Sequence, residues 1–444
     1  MRTERFGTRL STSSEAALAQ FEVAALRILS HRPQAEAALV EALAADPQLT
    51  GAWALRGLCH VLLGRSAGTE QARAYLVTAK AVMDGASASD DERALVRALE
   101  VGVHGGLRRA AEILENKVHG RPQLLLFAKL AHALRFMAGD RDRLTVGVET
   151  VLNSTHAGAD GMGFMLGCLA FASEERGDFR RAEQLGLLAL AQEPEDAWAM
   201  HAVSHVHEMT GRTRDGLDFI EKSRPIWSQC NNFSLHMSWH KALFQAEERR
   251  FDDALQVFDD EIWPHASEDF RDISNAVSLL RRLELVGVQV AGRWQSVAQA
   301  AAAHVQDKTY TFASLHNLVA LLSAGRLNEA ADLVATMERP GAPGNDQEHV
   351  MRRVGRPIAR LLLDEARGRA GRIDLQPLLS ALRDLGGSAA QRDLFVRILI
   401  HHASRRADQH ALAELLAFRR QLKKDDLFVE VVAGSHPHPV RYTA

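Results

Sequence analysis

Glycine residues recur along this chain at a spacing close to 34 residues, and each follows a segment with helical periodicity. Gly105 and Gly139 are 34 residues apart, and so are Gly177 and Gly211. Glycine commonly ends a helix because it adopts the left-handed backbone conformation of a helix C-terminus without steric cost. A repeat of about 34 residues that holds two helices is the signature of a tetratricopeptide-type solenoid. A further helix end is expected at Gly292.

The composition supports a purely helical chain. Aromatic residues make up 6% of the 444 residues, and only 12 residues are proline. Such a composition favours helix over strand. The sequence therefore predicts an all-α, tetratricopeptide-like helix-turn-helix solenoid that is closely wound. We expect an irregular N-terminus over residues 1–12, the helical-repeat domain over 13–430 and a flexible C-terminal tail over 431–444.

Net charge and cysteine content restrict the expected partners and cellular location of the protein. The formal net charge is −3, which implies neither a nucleic-acid partner nor a membrane surface. No apolar run approaches the roughly 18 residues that a membrane span needs, and the N-terminus has no apolar core of a signal peptide. Cys59, Cys168 and Cys230 are widely separated and odd in number, which indicates reduced thiols. A cytoplasmic location is expected.

Two His-x-x-x-His pairs lie close together within residues 196–264. They are His201/His205 and His236/His240, and Glu208 follows His201 by seven residues. At about 100° per residue, the members of each pair project from one face of their helix, and Glu208 shares the face of the first pair. Each segment therefore predicts a helix that presents two imidazoles together.

The repeat phasing places both histidine pairs on the first helix of successive units. Packed helices lie about 8–10 Å apart, so imidazoles from neighbouring first helices can share one ligand or ion. One interpretation is a metal centre with zinc, iron or manganese, since imidazole suits such ions. Its predicted ligands are His201, His205, His236 and His240.

A second interpretation is a metal-free pocket for a small molecule. In this interpretation Trp239 and His316, the latter on a later first helix, bind the ligand or cofactor. Glu208, His205 and His240 are the candidate catalytic groups in either case, because a His–Glu arrangement supports acid–base chemistry near neutral pH. A third interpretation is structural: buried histidines with satisfied hydrogen bonds also fill seams between repeats.

The function class stays open between a small-molecule site and an interaction scaffold. Solenoids of this type commonly hold a peptide in a concave groove, with binding energy spread over several repeats. A small-molecule site instead needs an enclosed cavity with a few converging polar groups. Phosphate-loop, dinucleotide and serine-hydrolase motifs are missing from the sequence, so those enzyme classes have no support.

Several segments resemble the tetratricopeptide repeat protein 38 family. They are HAVSHVHEMTGR, LHMSWHKAL, FASEERGDFRRAE, GGSAAQRDLF and the opening STSSEAALAQFEVAALRIL. The resemblance covers nearly the whole chain and implies an intracellular, all-α, tetratricopeptide-like solenoid, but little about activity. The family motif falls on His201, His205, Glu208, Met209, His236, Trp239 and His240.

Overall fold

The computed structural model describes residues 1–85, 87–156, 158–369 and 373–434, and α-helices dominate this part of the chain. The chain divides into two compact units. The first contains Met1–Val203, Pro225–Phe233 and Gly341–Gln347, and the second contains Ser204–Arg224, Ser234–Pro340 and Glu348–Ala444. Of the tail expected over 431–444, residues 435–444 lie outside the described part, and 431–434 are helical.

The first unit starts with a small hairpin within the twelve residues that were expected to be irregular. Strands β1 (Arg2–Thr3) and β2 (Arg9–Leu10) pair antiparallel, with Arg2 opposite Leu10. Helices follow as α1 (Glu15–Leu29), α2 (Ala35–Ala45), α3 (Thr50–Val61), α4 (Ser66–Gly85), α5 (Asp90–Gly102), α6 (Leu107–Gly120), α7 (Leu125–Met137), α8 (Val146–Ser154), α9 (Met162–Glu175) and α10 (Phe179–Gln192).

The remaining helices have most of their residues in the second unit. They are α11 (Ala197–Thr210), α12 (Thr213–Trp227), α13 (Phe233–Glu247), α14 (Phe251–Val257), α15 (Phe270–Leu285), α16 (Trp294–Ala302), α17 (Thr311–Ser323), α18 (Leu327–Glu338), α19 (Asp346–Val350), α20 (Arg356–Ala366), α21 (Leu375–Leu382), α22 (Ala389–Arg405), α23 (Gln409–Leu422) and α24 (Leu427–Gly434). Single π-helical turns at Phe258–Ile262 and Met351–Gly355 extend α14 and α19.

Helices that follow one another in sequence pack together within each unit. In the first unit α3 packs on α4, α6 on α7 and α9 on α10, while α3 also contacts α5 and α7 contacts α9. In the second unit α16 packs on α17, and α15 contacts α17. Contacts to the next helix and to the next but one are what helix–turn–helix repeats produce. The prediction of an all-α helical solenoid is thereby confirmed. None of the described helices has the length and apolar character to cross a membrane.

The glycine spacing predicted most of the helix ends correctly, but one predicted end lies several residues away from the observed one. Gly211 has φ +71° directly after α11, a backbone conformation that favours glycine. The end expected at Gly292 is wrong, because α15 already stops at Leu285 and Gly287 takes the positive φ of +88°. Gly292 instead lies in the short 3-10 turn Ala291–Arg293 that leads into α16.

Three helices of the second unit are buried over long uninterrupted runs. The buried segments are residues 236–245 of α13, residues 272–283 of α15 and residues 311–322 of α17. A helix that is buried on all sides is normally apolar all round. These three instead carry histidine, asparagine, serine and arginine side chains in their buried runs. Such residues need partners to offset the loss of hydration.

Candidate functional site

The candidate site is built on the parts of α11 and α13 that belong to the second unit, residues 204–210 and 234–247. His205 lies on α11, while His236 and His240 lie one turn apart on α13. The surrounding residues of both helices are largely apolar and aromatic, which draws the helices into the interior. His205 and His240 are completely buried, and His236 is 8% exposed. The histidines therefore stand inside the unit rather than on its surface.

The three imidazoles come together. One ligand-capable nitrogen of each lies within 4.8 Å of those of the other two. The ring centroids of His205 and His240 are 4.7 Å apart, and those of His236 and His240 are 4.8 Å apart. The structure brings His205, His236 and His240 to one buried place. We call these three residues the histidine cluster.

A carboxylate orients one member of the histidine cluster. The Nδ1 atom of His240 lies 3.2 Å from Oε2 of Glu208, which is itself 5% exposed. The Nζ atom of Lys423 donates to Oε1 of the same carboxylate at 3.1 Å and lies 3.5 Å from Asp426. An ionised carboxylate only accepts, so Nδ1 of His240 carries the hydrogen and Nε2 keeps its lone pair.

An amide oxygen does the same for a second histidine. The Nδ1 atom of His236 lies 2.8 Å from Oδ1 of Asn275 on α15. Because Oδ1 is an acceptor, we assign the hydrogen to Nδ1 and the lone pair to Nε2. Asn275 is 2% exposed, so this hydrogen bond forms away from water. Both histidines of α13 thus carry the hydrogen on Nδ1 and the lone pair on Nε2.

Burial fixes the protonation of these groups. Burial, followed by the nearby His240, lowers the pKa of His236 well below its ordinary value. Burial also lowers the pKa of His240 to about 4, although the hydrogen bond with Glu208 opposes this shift. Burial would raise the pKa of Glu208, but the charge of Lys423 and the hydrogen bond with His240 outweigh it and hold that pKa well below its usual range. At neutral pH the imidazoles are neutral and Glu208 is ionised.

Trp239 packs between the histidines of α13. Its ring stacks on His236 at 5.1 Å between centroids and meets His240 edge-on at 4.7 Å. The guanidinium of Arg282 lies 5.3 Å from the centre of the same indole. Trp239 is wholly buried, and within the described part of the chain its Nε1 has no hydrogen-bond partner. Trp239 thus lies against two members of the histidine cluster, and its predicted role in binding a ligand or cofactor stays a prediction.

His316 lies outside the histidine cluster. Its ring packs against Phe312 at 4.3 Å and Phe395 at 5.0 Å, and its Nδ1 lies 2.8 Å from the carbonyl oxygen of Phe312. Among the described residues it is not part of the group whose ligand atoms lie within 4.8 Å of one another. Burial lowers its pKa to about 3, so this imidazole is neutral.

His201 is placed in the first unit, one helical turn before His205 on α11. There its ring stacks on Phe171 at 5.5 Å and lies 5.0 Å from Trp198 and 5.3 Å from Phe233. It is 2% exposed. The predicted role of His201 as a metal ligand stays a prediction.

A small cavity of about 20 Å³ adjoins the carboxylate of Glu208. Its charged lining residues are Glu208, Glu247, Arg282, Arg397 and Lys423. A volume of this size holds about one water molecule. The cavity lies beside the carboxylate that orients His240, and apolar residues such as Leu243 and Phe428 complete its lining.

Sequence reasoning did not identify three residues that shape this site. They are Asn275, Arg282 and Lys423. Lys423 lies 215 residues from Glu208, and nothing in the local pattern links the two. Asn275 and Arg282 had a weak signal, since polar residues inside the otherwise apolar period of α15 need buried partners.

A comparison of the sequence with known protein-family models finds no match, so the family resemblance of the histidine segments stays a prediction.

Proposed function

We propose that the second unit binds a divalent transition-metal ion through His205, His236 and His240, and that this ion acts on a small molecule. The observation that carries the proposal is the convergence of three buried imidazole nitrogens to within 4.8 Å. Two of these imidazoles have their opposite nitrogen bound to an acceptor. Histidines that bind metals usually donate their other N–H to a carboxylate or carbonyl oxygen, as His240 and His236 do here.

The donor set fits zinc or iron better than manganese, and zinc is the ion tested below. Nitrogens held at about 2.0–2.1 Å from one zinc ion in a tetrahedron lie roughly 3.4 Å apart, which is inside the observed limit of 4.8 Å. Three neutral imidazoles suit zinc or iron, whereas manganese prefers oxygen ligands. With His205, His236 and His240 as its protein ligands, zinc would keep a fourth position for water or substrate, and zinc sites with a further protein ligand can expand to five-coordinate.

The residues of the chain have distinct parts in this proposal. Glu208 orients His240 and is held in place by Lys423, so its role is to position a ligand rather than to accept a substrate proton directly. Asn275 fixes the ring of His236 in the same way. A bound divalent ion would supply Lewis acidity, which polarises a substrate oxygen or lowers the pKa of a bound water molecule.

Burial favours this proposal over a peptide-binding scaffold. A groove for a peptide needs exposed polar rungs on its inner helices, but the runs 236–245 and 272–283 of α13 and α15 are buried throughout. The polar groups of these runs point to an enclosed site with a few converging contacts. Scaffolding of a peptide stays the alternative prediction.

Elemental analysis and metal titration of the purified protein test the proposal. We expect about one zinc ion per chain in the wild type and loss of zinc from a His205→Ala/His240→Ala double variant. The control is His265→Ala, which removes an exposed histidine of the same unit. A wild-type protein that binds no transition metal, while far-UV circular dichroism shows it folded, would contradict the proposal. His201→Ala tests the further predicted ligand: a lowered zinc affinity would support that role.

A further inference from the structure

We infer that the small molecule that meets this metal site carries a carboxylate, which is held by the side-chain N–H groups of Trp239, Asn275 and Arg282. The inference rests on the proposed function, because it names the class of ligand that occupies the open position at the metal. It depends on three observations: buried donors without partners, their continuity with the histidine cluster, and the balance of buried charge.

Each of the three side chains has a buried donor without a partner. Trp239 Nε1, Asn275 Nδ2 and Arg282 Nε have no hydrogen-bond partner anywhere in the described residues. The side chains are 0%, 2% and 5% exposed, respectively. Leaving a buried donor unsatisfied costs roughly 1–3 kcal/mol, so a protein rarely keeps several close together without a ligand or an ordered water molecule.

These donors belong to residues that form one connected set with the histidine cluster. Asn275 contacts His236 through its other amide atom, Oδ1, at 2.8 Å. Trp239 stacks on the same imidazole, and Arg282 lies over the indole at 5.3 Å. A ligand bound at the metal therefore has these three side chains within its immediate surroundings.

The two terminal nitrogens of Arg282 are hydrogen-bonded, whereas its Nε is not. One terminal nitrogen donates to Ser278 Oγ and the other to the carbonyl oxygen of Ala390, both at 2.5 Å. These bonds fix the plane of the guanidinium. The nearest carboxylate, Asp393, is 3.8 Å away and already accepts hydrogen bonds from Arg397 and Arg419. The positive charge of Arg282 is thus only partly offset, which favours an anion beside it.

Charge balance points to the same class of ligand. The cations of this region are Arg282, Arg397, Arg419 and Lys423, and the carboxylates are Glu208, Glu247, Asp393 and Asp426. These charges cancel without a metal. A divalent ion bound by three neutral imidazoles adds two positive charges in a buried place. An anionic ligand reduces that excess, whereas a neutral ligand leaves it.

A carboxylate fits better than a larger oxyanion. The donors are one indole N–H, one guanidinium N–H and one amide NH2 group, all on flat side chains. A planar carboxylate offers acceptor lone pairs to several such donors and occupies little depth. Phosphate is tetrahedral and carries more charge, and it would require more donors than these three side chains supply.

Cobalt(II) provides the probe, since its visible spectrum reports changes in its ligands. Cobalt-loaded wild-type protein is titrated with acetate, and acetamide serves as the neutral molecule of the same shape. We expect a saturable spectral change with acetate and none with acetamide at equal concentrations. Asn275→Asp keeps an acceptor oxygen for His236 but replaces the donor amide by a negative charge, so cobalt still binds and acetate affinity falls by about tenfold or more.

Matched variants separate this role from general damage. Asn328→Asp adds the same charge at an exposed position of the second unit and leaves acetate affinity unchanged. Trp239→Phe removes the indole N–H and lowers acetate affinity. Trp263→Phe, whose Nε1 donates to Ser296 instead, does not.

Two different failures are distinguishable. Cobalt binding without any response to acetate, a response to phosphate alone, or an acetate response that Asn275→Asp and Trp239→Phe leave intact would overturn the carboxylate inference and spare the metal proposal. Failure of cobalt to bind to the folded wild-type protein would overturn both.

Discussion

The Nδ1 atom of His240 lies 3.2 Å from a carboxylate oxygen of Glu208, and both side chains are buried. The second oxygen of the same carboxylate accepts a hydrogen bond from Lys423 at 3.1 Å. One carboxylate therefore joins an imidazole of the histidine cluster to the segment between α23 and α24. The carboxylate of Glu208 fixes the tautomer of His240. The positive charge of Lys423 offsets the negative charge of that carboxylate.

Replacing Glu208 by glutamine tests the orienting role. Glu208→Gln keeps an acceptor oxygen of the same size but removes the charge, so we expect zinc affinity to fall by about 10–100-fold. Competition with a chromophoric chelator measures the change. The control is Glu248→Gln, which affects a carboxylate paired with the exposed Arg214, and its zinc affinity should match the wild type. Equal affinities for Glu208→Gln and wild type would exclude this role for Glu208.

Removing the charge of Lys423 should destabilise the fold. Lys423 is 6% exposed and lies within 3.1 Å of Glu208 and 3.5 Å of Asp426. Lys423→Met leaves Glu208 without its cation, and loss of one partner from a buried pair costs about 3–5 kcal/mol. Urea unfolding gives the free energy of unfolding directly. The neighbouring exposed Lys424→Met should stay within about 0.5 kcal/mol of the wild type, and equal losses in both variants would refute the assignment.

The buried imidazole of His316 makes stability depend on pH. Its folded-state pKa of about 3 lies below the ordinary value of 6.5. As pH falls below about 6.5 the unfolded chain takes up a proton that folded His316 does not, so stability is lost between pH 6.5 and pH 3.

The variant His316→Leu should therefore lose less unfolding free energy than the wild type when the pH is lowered. Between pH 7.5 and pH 5.0 we expect its free energy of unfolding to drop by about 2 kcal/mol less than that of the wild type. Urea unfolding at several pH values measures this difference. Above pH 7 the two curves should run parallel, and parallel curves down to pH 5.0 would contradict the prediction.

The carboxylate of Asp393 also makes stability depend on pH, but at a lower pH than His316 does. Burial would raise its pKa, but Arg419 and Arg397 outweigh this and hold the pKa well below its ordinary value. The stability that it contributes is present above about pH 4 and is lost as pH falls through its folded-state pKa. Asp393→Asn should cost about 3–5 kcal/mol at pH 7, and the difference from the wild type should narrow only below about pH 4. A difference that already disappears at pH 6 would rule out this ion pairing.

Local patterns were enough to predict the helical array and the helix that carries His205. α11 ends at Gly211 because the backbone there has a positive φ, which glycine adopts without strain. The residue type alone therefore indicates this helix end. The same rule misplaced an end at Gly292, since Gly287 supplies the positive φ five residues earlier. Spacing alone does not tell which of two nearby glycines takes the left-handed conformation.

The partners of the histidines were not predictable in the same way. The pair His236 and His240 follows from the four-residue period of a helix. Their acceptors Asn275 and Glu208 lie 39 and 32 residues away in sequence, and Lys423 lies further still. Such contacts depend on how helices pack, and a single sequence shows only that a buried polar residue needs some partner.

X-ray absorption spectroscopy of the zinc-loaded protein tests the central proposal most directly, because it counts the imidazoles bound to the metal. We expect at least three imidazole nitrogens at about 2.0–2.1 Å from zinc and no sulfur ligand, with the imidazole signal reduced in His236→Ala. Zinc coordinated by oxygen alone, an unchanged spectrum in His236→Ala, or a folded wild-type protein that takes up no zinc would contradict it.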